Sequence, residues 1–160
     1  MIDALDARLI ELLTVEPRIG VLEASRRLGV ARGTIQARLD RMTKRGVITS
    51  YGPDIDPAAI GHAVTAFVTL ELTQAGGHDR VAERLSLIDE ILEAHTITGP
   101  GDVLCRVVAR DNSDLQRVID AIVDVPGVVR TSTVIALATT VRYRTIPLVR
   151  ATAASHHGSG

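Results

Sequence analysis

The hydrophobic period of this chain changes once, and that change decides what it can fold into. Apolar residues first recur at helical spacing, as Leu5, Leu9, Leu12 and Leu13 and again as Ile35, Leu39 and Met42. From residue 63 the period falls to two: Val64, Ala66, Val68, Leu70 and Leu72 alternate with Thr65, Phe67, Thr69 and Glu71, the pattern of a strand. Between the two regimes lie Gly52, Pro53, Pro57 and Gly61 among polar residues, which mark a boundary. The chain therefore reads as an α+β protein with a helical domain over 1–50, a linker or arm over 51–61 and a mixed domain over 62–148.

The helical part predicts three helices. The first runs from the N-terminus to Leu13, with Asp3 as N-cap and Asp6 in the first turn. Pro17 stops it. A short second helix spans Val21–Leu28, with Val21, Leu22, Ser25 and Leu28 inward, and Gly29 supplies a left-handed turn. A third helix over Ala31–Arg45 is closed by Gly46. Helix, short helix, glycine turn and amphipathic basic helix is the plan of a helix-turn-helix.

Arg26, Arg27, Arg32, Arg38, Arg41, Lys44 and Arg45 are opposed within that stretch only by Asp40. A charge run alone describes a solvated face; a glycine turn followed by a basic helix points to double-stranded DNA. Arg32, Gly33, Thr34 and Gln36 occupy the first turns, where Arg pairs with guanine and Gln with adenine in the major groove. Arg38, Arg41, Lys44 and Arg45 stand where phosphates are met; the alternative for Arg38 is an ion pair with a helix-one acid such as Asp6.

In the second half, Val81, Leu85 and Ile88 line a helix after a Gly-containing loop at Gln74–His78. Ile91–Thr98 and Val103–Ala109 read as strands. A helix opens at residues 111–113, with Ser113 and Gln116 spaced as a capping box. Val128–Leu137 is a β-branched strand, and Thr139–Ile146 either extends it or adds a fifth. The order βαββαβ is ferredoxin-like, with both helices on one sheet face. The other face is expected to be apolar and to need cover, which predicts a homodimer or a higher assembly such as an octamer.

Thr98-Gly99-Pro100-Gly101-Asp102 fits a ligand loop, in which glycine amides approach a carboxylate and Asp102 meets an ammonium. It fits a tight hairpin turn equally well.

Composition narrows the alternatives. Aromatics are 2% of the chain, too few for a stacking platform that grips single-stranded nucleic acid. Residues 1–50 carry nine Lys/Arg against six Asp/Glu and residues 51–160 nine against thirteen, so only the first half suits phosphate. The single Cys105 excludes an internal disulfide and reads as a core residue. His62, His78, His95 and the pair His156-His157 form no metal or catalytic motif, and no P-loop or nucleophile elbow is present. No cofactor, metal, catalytic residue or membrane span is expected, and a cytoplasmic location is. Residues 149–160 lack periodicity and read as a disordered tail.

Ile2-Asp3-x-x-Asp6-x-x-Leu9-Ile10-x-x-Leu13, Arg18-Ile19, Leu28-Gly29-Val30, Thr34-Ile35-x-x-Arg38-Leu39, Gly46-Val47-Ile48, Tyr51, Ile55-Asp56-Pro57 and Gly61 together resemble the Lrp/AsnC (feast/famine) transcriptional regulators. The resemblance runs to about residue 148. It implies a winged helix-turn-helix, an arm at 51–61 that helps pair subunits, and a ferredoxin-like domain that assembles the protein. It further implies an amino-acid effector held between dimers by Gly99, Gly101, Asp102 and Val103 with Thr131 and Thr133. The chain departs from the family pattern at Ala31 (usually a Ser N-cap), Ala24-Ser25, Thr43 and Val103 (usually aromatic). Two rival functions fit the same residues: an architectural DNA-wrapping protein that ignores metabolites, and an amino-acid-binding module that regulates a partner enzyme.

Overall fold

The computed structural model describes residues 2–73 and 78–155. Their elements run α1 (Ala4–Val15), α2 (Val21–Leu28), α3 (Arg32–Lys44), β1 (Val64–Leu72), α4 (His78–Leu85), β2 (Ile91–Thr96), β3 (Val103–Ala109), α5 (Asn112–Val123), β4 (Val128–Ala136) and α6 (Ile146–Ser155). They divide into two compact units, one of residues 1–53 with 141–160, the other of 54–140. The loop expected at Gln74–His78 lies outside the described residues except for His78, which opens α4, and so does the His156-His157 pair. No helix among the described residues is long and apolar enough to cross a membrane.

In the first unit Asp3 caps α1 as its position predicts. Its carboxylate accepts from the Asp6 amide at 2.9 Å while the Asp6 carboxylate accepts from the Asp3 amide at 3.2 Å. Gly29 ends α2 at φ 70°, and the Val30 amide reaches back to the Ser25 carbonyl at 3.1 Å. The core is Leu9, Ala24, Ile35 and Met42, with Leu12, Leu13, Val21, Leu28 and Leu39 packed around them. Full burial of a side chain such as Leu9 or Ile35 contributes about 1.5–3 kcal/mol. Leu22, expected inward, is exposed. Over eight residues α2 turns its small Ala24 and Ser25 to the core instead, and Ser25 satisfies its hydroxyl on the Leu22 carbonyl at 2.7 Å. After α3 the chain runs in turns and extended segments without strand pairing.

The C-terminal residues depart from the sequence expectation. Residues 137–145 form no strand, and in place of a structureless tail from 149, α6 spans Ile146–Ser155. The helix packs on α1, burying Ala153, and Arg150 Nε donates to Glu11 Oε1 at 2.7 Å. Its larger apolar residues crowd into the first turn and only alanines follow, so it shows no period of its own and its stability rests on α1.

The second unit is the expected four-stranded antiparallel sheet, in the order β2-β3-β1-β4. Ala66, Val68 and Leu70 of β1 and Cys105, Val107 and Ala109 of β3 are fully buried against Val81 and Leu85 of α4 and Leu115, Val118 and Ile122 of α5. α5 begins two residues earlier than its Ser113–Gln116 spacing suggests. Its cap is Asp111, which accepts from the Asp114 amide at 2.8 Å, while Asp114 in turn accepts from the Arg110 amide at 3.0 Å. A carboxylate held by backbone N–H groups displaces the weaker hydroxyl cap. β2 stops at Thr96, two residues short of expectation.

The face away from the helices is less apolar than alternation alone implies. Register places Thr65, Phe67, Thr69 and Glu71 there with Leu104, Arg106, Ser132, Val134, Glu93 and His95. Phe67 and Val134 are cross-strand partners and both exposed, and Leu104, Val108 and Ala136 flank them on the same face.

Candidate DNA interface and effector loop

Helix α3 presents three different faces. Ile35, Leu39 and Met42 pack inward. Arg32, Gln36, Asp40 and Lys44 follow one another at i, i+4 spacing on the exposed side, where Gln36 Nε2 donates to Asp40 Oδ1 at 2.8 Å. The third face belongs to α1. Arg38 Nη1 donates to both Asp3 oxygens at 2.7 and 2.6 Å and to Asp6 Oδ1 at 2.7 Å, and Arg41 Nη2 donates to both Asp6 oxygens at 2.9 Å.

Asp6 is almost wholly buried, its side chain 1% exposed, and so depends on these two cations. Partial burial would raise the Asp3 carboxyl, but the bonds from Arg38 and the Asp6 amide hold it below its ordinary range. Of the phosphate candidates, Arg38 and Arg41 are thus already engaged inside the fold. Lys44 is exposed. Among the recognition candidates Arg32, Gly33, Thr34 and Gln36 are all exposed at the start of α3. α3 lacks a side-chain cap at Ala31, as the residue type dictates. A Cβ on Gly33 would meet no atom within 4 Å, so packing in this unit does not call for glycine there.

The loop between β2 and β3 is tied to the end of β1. The Asp102 amide donates to the Leu70 carbonyl at 2.8 Å and the Leu72 amide donates to Asp102 Oδ2 at 2.7 Å. Asp102 supplies its side chain as acceptor where β1 shifts register between Glu71 and Leu72. Its other oxygen makes no hydrogen bond among the described residues. Gly101, at φ 90°, passes so close to β1 that a Cβ would lie 2.4 Å from Thr69 Cγ2. Gly99, at φ 108°, faces open space.

Of the remaining effector candidates, register brings Val103 and Thr131 to opposite sides of Leu70, so the loop and Thr131 share one end of the sheet. Val103 is buried in the core under the helices, which is why a small aliphatic residue fits there. Thr131 and Thr133, half-buried, alternate onto that same helix-covered side, beside Leu70 and Val68. Burial pushes the Cys105 thiol up to about 11, so it is a neutral core group at ordinary pH.

Sequence reasoning missed the ion-pair cluster at the start of α5, where Asp114 receives Arg110 and Arg117 and Glu90 receives Arg117. Nothing local marks Glu90 as its member, since it lies 27 residues from Arg117.

Two family models divide the chain between them: the AsnC-type helix-turn-helix domain matches residues 2–43 and the Lrp/AsnC ligand binding domain residues 65–146. The regulatory protein AsnC of Escherichia coli is 31% identical over 138 residues, covering 86% of this chain and 91% of AsnC. An HTH-type transcriptional regulator of Pyrococcus horikoshii, FL11, matches at 31% over the same length and coverage. Among solved structures, that of E. coli AsnC superimposes with a TM-score of 0.84 at 29% identity, covering 92% of this chain and 99% of that one. A feast or famine regulatory protein from M. tuberculosis, complexed with L-methionine, follows at a TM-score of 0.79 and 27% identity, covering 90% and 97%. With a DNA-binding helix-turn-helix ahead of a ligand-binding sheet domain, the chain belongs to the Lrp/AsnC family of transcriptional regulators.

Proposed function

We propose that this regulator reads specific DNA through Arg32, Gly33, Thr34 and Gln36, holds flanking phosphates through Lys44 and Arg45, and alters its DNA affinity on binding an amino acid. The observation that carries the reading is the exposed start of α3, where Arg32 and Gln36 stand one turn apart beside a glycine that packing does not require. Arg to guanine and Gln to adenine are the pairings such an arrangement supplies. Arg38 and Arg41, tied to Asp3 and Asp6, act first by holding α3 against α1.

The amino-acid effector is supported by the methionine complex of the M. tuberculosis relative. On this chain the candidates are Gly99, Gly101, the unbonded oxygen of Asp102 and the adjacent end of β4 at Thr131 and Thr133. Val103, buried in the core, shapes the loop from beneath. The protein acts as a homodimer or a higher assembly, with the exposed Phe67–Val134 pair at the centre of a subunit contact, and works without catalysis in the cytoplasm. An effector changes transcription only by binding one DNA-bound or assembly state better than another, and a coupling of about 1–3 kcal/mol shifts DNA affinity roughly 5- to 150-fold.

Thermal-shift screening against the amino acids, with light scattering on each hit, tests the sensing. A stabilising amino acid whose effect disappears in Asp102→Ala supports it. If every amino acid fails while duplex DNA still binds, the effector-independent, DNA-wrapping alternative replaces it.

A further inference from the structure

Of the eighteen Lys and Arg residues in this chain seventeen are arginine, and the single lysine is Lys44. The fold places that one ε-amine in the last turn of α3, exposed, at the end of the stripe formed by Arg32, Gln36, Asp40 and Lys44. Its side chain makes no ion pair or hydrogen bond among the described residues. The acid one turn before it, Asp40, is engaged instead by Gln36 Nε2 at 2.8 Å.

Exposure and freedom do not by themselves distinguish Lys44 from the exposed arginines; its chemistry does. A guanidinium stays protonated at any ordinary pH and is no nucleophile, whereas an ammonium can give up its proton and attack an activated carbonyl carbon. The other soft nucleophile of the chain, Cys105, is fully buried. Position makes the charge of Lys44 consequential. Among the phosphate candidates of α3, Arg38 and Arg41 are held by the acids of α1, so neither can replace it without breaking those pairs.

We propose that Lys44 is an acyl-acceptor site, through which an activated acetyl donor, an acyl phosphate or an acyl thioester, loosens the hold of α3 on DNA. The free ε-amine attacks the carbonyl carbon. A C–N bond forms as the bond from that carbon to phosphate oxygen or sulfur breaks, phosphate or thiolate leaves with the electron pair, and the amine proton passes to solvent. The product amide is neutral, so each subunit loses one cation and keeps every arginine. Acylation therefore lowers DNA affinity by one increment and does not abolish binding, as it would in a protein that held phosphate through many lysines. The switch rests on the proposed reading of α3 as a DNA contact, and its test separates the two.

The full chain is treated with acetyl phosphate, or in a parallel sample with an acetyl thioester. Mass spectrometry then follows the peptide carrying Lys44, and affinity for a random-sequence duplex is measured across a salt series. Lys44 is expected to be acetylated, more slowly when duplex is present during treatment, and modification by one donor alone identifies the source. Each acetylated subunit on the duplex should lower the slope of log K against log salt by about 0.9, and affinity by about 8-fold near 0.1 M salt. Lys44→Gln should show the same loss without a donor, and Lys44→Arg should not respond to treatment when compared with its own untreated sample. Circular dichroism should stay unchanged, since a loss of helix would make the effect structural and overturn the switch. An unmodified Lys44 in a chain that binds DNA overturns the acceptor site and leaves the recognition helix standing. Complete acetylation with an unchanged slope, beside a reduced slope in Arg32→Ala, overturns the switch and removes Lys44 from the phosphates. An equal response in Lys44→Arg overturns it too, because another group would then be responsible. A wild type whose binding ignores salt overturns both readings.

Discussion

Arg38 and Gln36 stand two residues apart on α3, yet the helix turns one towards the acids of α1 and the other towards solvent. Arg38→Ala is expected to destabilise the helical unit by about 1.5–3 kcal/mol, the range for hydrogen bonds to charged groups. The bond to buried Asp6 carries most of that, because Asp3 is half exposed and screened. Denaturant unfolding measures the loss, while the salt slope of DNA binding should keep its wild-type value. Gly33→Ala should move two quantities in opposite directions. It stabilises α3, by less than the roughly 0.5–1 kcal/mol of a helix interior because Gly33 lies in the first turn, and it weakens DNA binding because a methyl is added where the backbone would approach the groove. Equal DNA affinity in the two proteins would remove Gly33 from the interface. At the other site, Gly101→Ala meets both a positive φ and Thr69, whereas Gly99→Ala meets only the positive φ. The melting temperature should fall further for Gly101→Ala, and Thr69→Ser in the same chain should recover part of the loss by removing the clashing methyl.

Among elements, α5 has the clearest electrostatic anchor. The Arg110 side chain and amide, joined by Arg117, hold the Asp114 carboxyl far below the usual carboxylate range. A carboxylate with a folded pKa below its unfolded value near 3.8 stabilises fully above that value, and the contribution drains away as pH falls through the interval down to the folded pKa. Asp114→Asn should therefore be less stable at neutral pH, and its melting temperature should depend less on pH below about 4. Parallel curves for the two proteins would contradict the assignment. Elements built from near neighbours were the legible ones: the Asp3 cap, the Gly29 turn, the buried stripe of α3 and the alternation of β1 all lie within a few residues of their causes. Of the contacts across long separations, only the pair of Arg38 with Asp6 was anticipated. Asp6 and Arg41 are 35 residues apart and Glu11 and Arg150 139, and a single sequence carries no mark that pairs them. α6 was hidden for the same reason, since it is held by a distant helix and shows no period of its own. The loop at Gly99–Asp102 was found by its glycines, but its attachment to Leu70 and Leu72 depends on a register shift that alternation does not encode.

For the whole molecule, the separation of charge into a positive helical unit and a negative sheet unit reconciles a net charge of −1 with a DNA-binding role. The helical unit reaches its full charge only with the segment that α6 secures. Deleting residues 146–160 should lower its stability by about 0.5–3 kcal/mol, the ordinary range for loss of modest packing, and should weaken DNA binding with it. Differential scanning calorimetry would show the loss, and an unchanged transition would make α6 an ornament. The same arrangement has a consequence for synthesis. The DNA-binding unit is interrupted in sequence by all of residues 54–140, so a ribosome completes α1 to α3 first and α6 only after the entire sheet unit. At about 5–20 residues per second the recognition helix waits roughly 5–20 s for its fourth support. The helical unit is thereby complete only in chains whose ligand-binding half has already been made.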